Sequence, residues 1–204
     1  MGTIQEHRSG DWSPELDERE QRILLDLARE TLRECVVDDG PERPLDAGRF
    51  PVTERLRKAR ATFVTFKQRE ALRGCMGTLV ACEPLYRSVR TSAANAAQDP
   101  RFADRPIRAD EVEAVDVHVS VLGPLQPTAA PEAFEPGKHG MVLTCRGRRA
   151  VFLPEVAAEQ GWSRSETLSA LCRKAGLAAD AWKAGAEASL FQSVVYSEER
   201  SHAN

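Results

Sequence analysis

Two rhythms of apolar residues run along this chain, one near the helical period of 3.6 and one of two, and together they divide it into elements. Leu24, Leu27, Thr31 and Cys35, with Ile23, Ala28 and Leu32 beside them, recur at helical spacing and predict one amphipathic helix ending near Val37. Ser13-Pro14-Glu15 supplies a start, with Ser13 as N-cap and Pro14 at the first helical position. Residues 1–12 are polar and read as a disordered lead, and residues 199–204 as a tail. Asp38 to Pro51 carries Gly40, Pro41, Pro44 and Gly48 and reads as a loop, before a short helical piece from Thr53 to Lys58. Thr62 to Phe66 is a short apolar run, Lys67 to Glu70 a polar connection, and Leu72 to Leu79 the return arm of a hairpin. Leu85, Val89, Ala93 and Ala96 mark a second helix that Asp99-Pro100 stops. Val115 to Val121 alternates strictly, the pattern of a half-buried strand.

Pro124, Pro127, Pro131 and Pro136 argue against regular structure and suggest an ordered crossing loop. Beyond it the layout recurs. Met141–Cys145 and Ala150–Leu153 flank a turn at Gly147, and Ser163 with Glu166 forms a capping box for a helix with Leu168, Leu171, Cys172 and Ala175 on its apolar stripe. Gly176 stands where a left-handed cap is wanted, and a last strand runs from about Ala188 to Ser197. Residues 50–122 and 138–198 thus each read hairpin, helix, strand, within one domain over residues 13–198. Each half is too small to bury a stable core alone, so both are expected to share one sheet system.

The bulk numbers narrow the function classes. A chain of 204 residues with a net charge of −3 has no basic excess for nucleic acid or an anionic membrane. Local clusters at Arg55–Arg60 and Arg146–Arg149 fit solvated faces or, less often, an anion site. No apolar run approaches the ~18–20 residues that span a bilayer, and residues 1–11 lack the apolar core of a signal peptide. The five cysteines are odd in number and scattered, with no Cys-x-x-Cys pair and no histidine at metal-finger spacing, so the expected home is a reducing cytoplasm. No phosphate-cradling glycine loop, nucleophile elbow or His-Glu-x-x-His is present, and neither a cofactor nor a metal is expected.

The chemistry concentrates at Leu72-Arg73-Gly74-Cys75-Met76-Gly77-Thr78-Leu79. Gly74 and Gly77 leave Cys75 little neighbouring bulk, and strand glycines mark close approach of a backbone or a ligand. On an extended segment Arg73 and Cys75 share a face, and a guanidinium there favours the thiolate. The other reading is a small buried thiol in a tight hairpin. Thr78 can bond a ligand or fill the pleat. Asp99 and Arg101 lie two apart around a proline; Arg101 can grip an anion, or Asp99 can simply cap its own turn. His118 shares the polar side of its strand with Asp116 and Ser120, facing either a cleft or water.

The cysteine stretch resembles the signature of the AMMECR-type domain family, also called AmmeMemoRadiSam system protein A. Further pieces match in order: Phe63-Val64-Thr65, Ala93–Ala97 with Asp99–Phe102, Val119–Leu122, His139-Gly140, Leu153-Pro154 with Gly161-Trp162, Lys174–Leu177 and Trp182. The resemblance covers roughly residues 20–198 and implies an α+β fold of two related β-rich halves. With the pattern above, this gives an α+β protein whose halves share one curved, barrel-like sheet system with flanking helices. It raises His139 as general base or thiol partner, by elimination among four histidines, since His7 and His202 lie near the chain ends. The candidate site is then a catalytic Cys75 and His139 with Arg73, Gly74, Gly77, Thr78, Asp99 and Arg101 as ligand residues, and if the two halves pack as related units, Cys75 and His139 are expected to border one cleft. Its name links such chains to Memo-like and radical SAM proteins as partners. Histidine at His118 and glutamate at Glu155, where glutamine is usual, depart from the family. Two classes stay open: an enzyme using Cys75 on a small molecule or modified side chain, and a non-catalytic module offering the same cleft to a partner.

Overall fold

The computed structural model describes residues 4–37 and 49–198. Its elements are β1 (Ile4–Arg8), α1 (Glu18–Val37), α2 (Glu54–Arg57), β2 (Ala61–Gln68), β3 (Ala71–Gly77), α3 (Leu85–Ala97), β4 (Asp116–Leu122), β5 (Gln126–Thr128), β6 (Gly140–Cys145), β7 (Arg148–Phe152), α4 (Pro154–Glu159), α5 (Arg164–Lys174), β8 (Glu187–Phe191) and β9 (Ser193–Glu198). The class is α+β, as expected. The strands do not form one barrel-like system; they form a five-stranded sheet ordered β1-β9-β4-β2-β3 and a four-stranded sheet ordered β5-β8-β6-β7. The described residues divide into two compact units, residues 4–7, 14–37, 49–122 and 195–198 in one, residues 8–13 and 123–194 in the other.

In the first unit, α1 and α3 pack on one another, α1 on β4 and α3 on β2 and β3. The covered face carries Val64 and Phe66 of β2 and Val117, Val119 and Val121 of β4, all fully buried. Thr62 belongs to this face too, and its hydroxyl is satisfied by Ser88 and Ser92 of α3 at 2.8 and 3.0 Å. The start of α1 differs from expectation. Asp17, not Ser13, caps it: the Asp17 carboxylate accepts from the Glu20 N–H and the Glu20 carboxylate from the Asp17 N–H, a reciprocal box. A residue of positive φ, Glu15 at 59°, intervenes between the expected and the observed start. Residues 4–8, expected to be disordered, form β1 at the edge of the sheet beside β9, a pairing that no local pattern encodes. The loop expected over 38–51 and the tail over 199–204 fall largely or wholly outside the described residues.

In the second unit the β6–β7 hairpin and the helix capped by Ser163 and Glu166 form as expected. Gly176 takes the left-handed conformation at φ 71° just after α5. Met141, Leu143, Leu168, Leu171 and Cys172 share this unit's core. Three details differ. Residues 126–128 make a short strand despite Pro127, which the edge position of β5 tolerates. Pro154 opens α4, a short helix that the apolar pattern did not reveal, with Glu155 in its first turn, where a carboxylate suits the helix dipole. The single last strand is two, β8 and β9, which break at Gln192 and enter different sheets.

Candidate functional site

The site begins with the exposed edge of the five-stranded sheet. β2 and β3 pair antiparallel with Phe66 opposite Gly74, Thr65 opposite Cys75 and Val64 opposite Met76. Gly74 faces α3, where a Cβ would stand 2.1 Å from the Ala96 carbonyl oxygen. Only a glycine lets the last turn of α3 come so near. That approach brings the turn after α3, Asp99 to Phe102, against β3. Gly77 is likewise a packing glycine, its missing Cβ 2.2 Å from the Thr62 carbonyl and against the Phe63 ring. The two glycines of the signature are therefore explained by protein neighbours.

Asp99, with a side chain 1% exposed, fastens to the strand edge. Its Oδ2 accepts from the Cys75 N–H at 3.0 Å, and Arg101 Nη2 donates to the Cys75 carbonyl at 2.9 Å. Arg101 is locked in turn to Asp99, with Nη2 at 2.5 Å from Oδ2 and Nε at 3.0 Å from Oδ1. The N–H and C=O of Cys75 thus point outward, so Thr65 and Cys75 form a non-hydrogen-bonded pair, the kind whose side chains approach closely. Accordingly, the Thr65 hydroxyl donates to Cys75 Sγ at 3.2 Å. Cys75 itself is half-buried.

The electrostatics follow the same contacts. The bond to Arg101 holds the Asp99 carboxyl down at about 2, against the opposing effect of burial. Arg101 is pushed up, first by its bond to Asp99, against the opposing effect of burial. Burial raises the thiols of Cys35 and Cys172.

Arg73 is not the guanidinium at the thiol. The ladder slips between Phe66 and Lys67, so the simple alternation that aligned Arg73 with Cys75 breaks there. Its guanidinium is turned to Glu111, with Nη2 at 3.2 Å from Oε2, to Gln68 and to the Pro106 carbonyl. That bond to Arg73 holds Glu111 down at about 2. Thr78 leaves the site as well: its hydroxyl accepts from the Val80 N–H at 3.0 Å in a local turn.

His139 lies in the second unit, whereas Cys75 lies in the first. Its N–H donates to the Glu135 carbonyl at 3.0 Å and its Nδ1 accepts from the Glu135 N–H at 3.2 Å. Burial lowers its pKa, Glu135 opposes that and Lys138 adds to it. It lines a cavity of about 80 Å³ with Trp12, Gln126, Phe191 and Gln192, all of the second unit. His139 thus caps a backbone group of its own loop and borders a pocket that the sequence did not suggest.

Sequence reasoning passed over Thr65, the partner of the thiol. The only signal for it was a polar residue set between the apolar Val64 and Phe66 in β2. Among the described residues no group of three or more His, Cys, Asp or Glu side chains could hold a metal ion, and no helix is long and apolar enough to cross a membrane.

A mixed α+β chain with a clamped cysteine on an edge hairpin is the class that fold and site define. The AMMECR1 family model matches residues 25–196, and the chain belongs to that family. It is 34% identical over 189 residues to Protein Mbar_A1807 of Methanosarcina barkeri, covering 90% of this chain and 92% of that one. It is 38% identical over 160 residues to Protein MK0488 of Methanopyrus kandleri, covering 73% and 76%. The crystal structure of the uncharacterized protein PH0010 from Pyrococcus horikoshii superposes with a TM-score of 0.80 at 28% identity, covering 94% of this chain and 97% of that one.

Proposed function

We propose that this chain is an enzyme with Cys75 as its nucleophile, acting on a small molecule or a modified protein side chain. The observation that carries the reading is the 3.2 Å bond from the Thr65 hydroxyl to Cys75 Sγ, beside an Arg101 whose Nη2 donates to the carbonyl of the same residue. A donor and a cation at one cysteine both favour the thiolate, the reactive form. Arg101, with a side chain 57% exposed, remains accessible to an anionic group of the substrate. Asp99, Gly74 and Gly77 shape and hold the site, and Arg73 and Thr78 lie at its margins. The base that the resemblance implies is His139. The same resemblance suggests a cytoplasmic pathway shared with Memo-like and radical SAM proteins, tested by co-purification with such proteins.

A second reading has its own support. Asp99 and Arg101 satisfy the outward N–H and C=O of an edge strand, which a non-catalytic module also needs. Thiol reactivity separates the two. In protein carrying Cys82→Ser, which removes the exposed thiol, iodoacetamide labelling of Cys75 is followed against pH by peptide mass. An apparent pKa well below the ~8.5 of a free thiol, raised by Arg101→Gln, is the expected outcome. An ordinary value, unmoved by that substitution, rejects the nucleophile and leaves the binding module.

A further inference from the structure

We infer that His118 is the histidine coupled to Cys75, with the Thr65 hydroxyl between them; this rests on the reading of Cys75 as a nucleophile.

The argument is one of register. Thr65 of β2 stands opposite Cys75 on one side and opposite His118 of β4 on the other. Directly opposed residues of an antiparallel pair share a face. Cys75, Thr65 and His118 therefore form one row across three neighbouring strands, on the face opposite α1 and α3. Because the Cys75 N–H and C=O turn outward to Asp99 and Arg101, the backbone of Thr65 turns to β4. Thr65 and His118 are then the hydrogen-bonded pair, with Cα atoms about 5.5 Å apart. An imidazole at that spacing reaches the threonine hydroxyl or a ligand seated over it. His118 is half-buried, and it lies in the same unit as Cys75.

The proton step balances within the row. The Cys75 S–H bond breaks and its proton ends on the imidazole of His118. The Thr65 O–H donates to the thiolate, as it does to Sγ now, while its oxygen accepts from the imidazolium N–H. The product is a thiolate–imidazolium pair joined through one hydroxyl. Other charged groups border the row. Asp116, two residues from His118, and Lys67, opposite Asp116, are on the same face. The Asp99–Arg101 pair flanks Cys75, and Arg73 is paired with Glu111. On β9, next to β4, Glu198 bonds Arg29 of α1, so Glu198 and Tyr196 alternate onto the helix-covered face and leave Val195 and Ser197 on this one.

The test measures coupling in both directions. Labelling of Cys75 against pH, in the Cys82→Ser protein, is compared with that of the same protein carrying His118→Gln, Thr65→Val or both. The expected result is a rise of about one pKa unit at Cys75 in His118→Gln, which slows labelling roughly tenfold at pH values well below the Cys75 pKa, and a double variant no slower than the slower single one. Reciprocally, NMR titration of His118 in folded protein should show its pKa fall by about one unit on Cys75→Ser, since the linkage is mutual. This arm needs no change at His118 and survives a poorly folding variant. A low Cys75 pKa that ignores His118→Gln, or that responds to His139→Gln instead, overturns the assignment and leaves the nucleophile standing. A wild-type Cys75 that titrates as a free thiol overturns both.

Discussion

Asp99 shows how one carboxylate can set a site. It accepts from the Cys75 N–H and holds the Arg101 guanidinium that caps the Cys75 carbonyl. Its pKa is depressed to about 2, so it favours the folded state wherever it is ionised. That contribution is complete above the ordinary carboxylate range and is lost as pH falls through about 2. Asp99→Asn keeps the shape and removes the charge. It should lower stability at pH 7 by about 1–2 kcal/mol, with the deficit shrinking as urea melts are repeated at pH values approaching 2. The residue types of this site were legible in the sequence: Cys75, Asp99 and Arg101 were all singled out. Their partners were not, because pairing depends on which turn meets which strand edge. Arg73 lies two residues from the thiol and serves Glu111, while Arg101 lies far along the chain and caps the Cys75 carbonyl.

At the scale of elements, the hairpin that carries Cys75 closes tightly. Arg69 and Glu70 are its two central residues, and both have positive φ, 49° and 63°. Such turns match strand twist but suit glycine and asparagine. Glu70→Gly relieves the backbone and should stabilise the protein by about 0.5–1 kcal/mol, read as a raised melting temperature with the Cys75 pH profile unchanged. The β6–β7 hairpin meets the same requirement with Gly147 at φ 73°, and there the turn was visible in the sequence. At Arg69-Glu70 the connection was expected, but two charged residues give no sign of its conformation.

For the first unit as a whole, Arg29 is the tie between distant parts of the chain. Buried in α1, it donates to the Val112 carbonyl at 2.8 Å, the Val115 carbonyl at 2.9 Å and the Glu198 carboxylate at 2.7 Å. The last strand is thereby fastened to the first helix and to the segment that enters β4. Arg29→Ala leaves the Glu198 carboxylate only its longer contact with Arg22, at 3.8 Å, and takes a donor from two carbonyls. The expected cost is about 3–5 kcal/mol. Amide exchange should speed up in β9 and β4 before β6 and β7; uniform acceleration across both sheets would contradict this role.

The sequence by itself determined the α+β class, the hairpins and the helices over Leu85–Ala97 and Arg164–Lys174, and it singled out the cysteine stretch. These follow from period, caps and turn residues, all of which act over a few positions. Tertiary structure decided what no local pattern carries. It drew residues 4–8 into a sheet, split the final strand at Gln192 between two sheets, and moved the start of the first helix to Asp17. It also selected the neighbours of Cys75. Strand register placed Thr65 and His118 in one row with it, and the close approach permitted by Gly74 delivered Asp99 and Arg101 to its backbone. Register and close packing are set by contacts between residues far apart in the chain, which is why Cys75 could be singled out early and its environment could not.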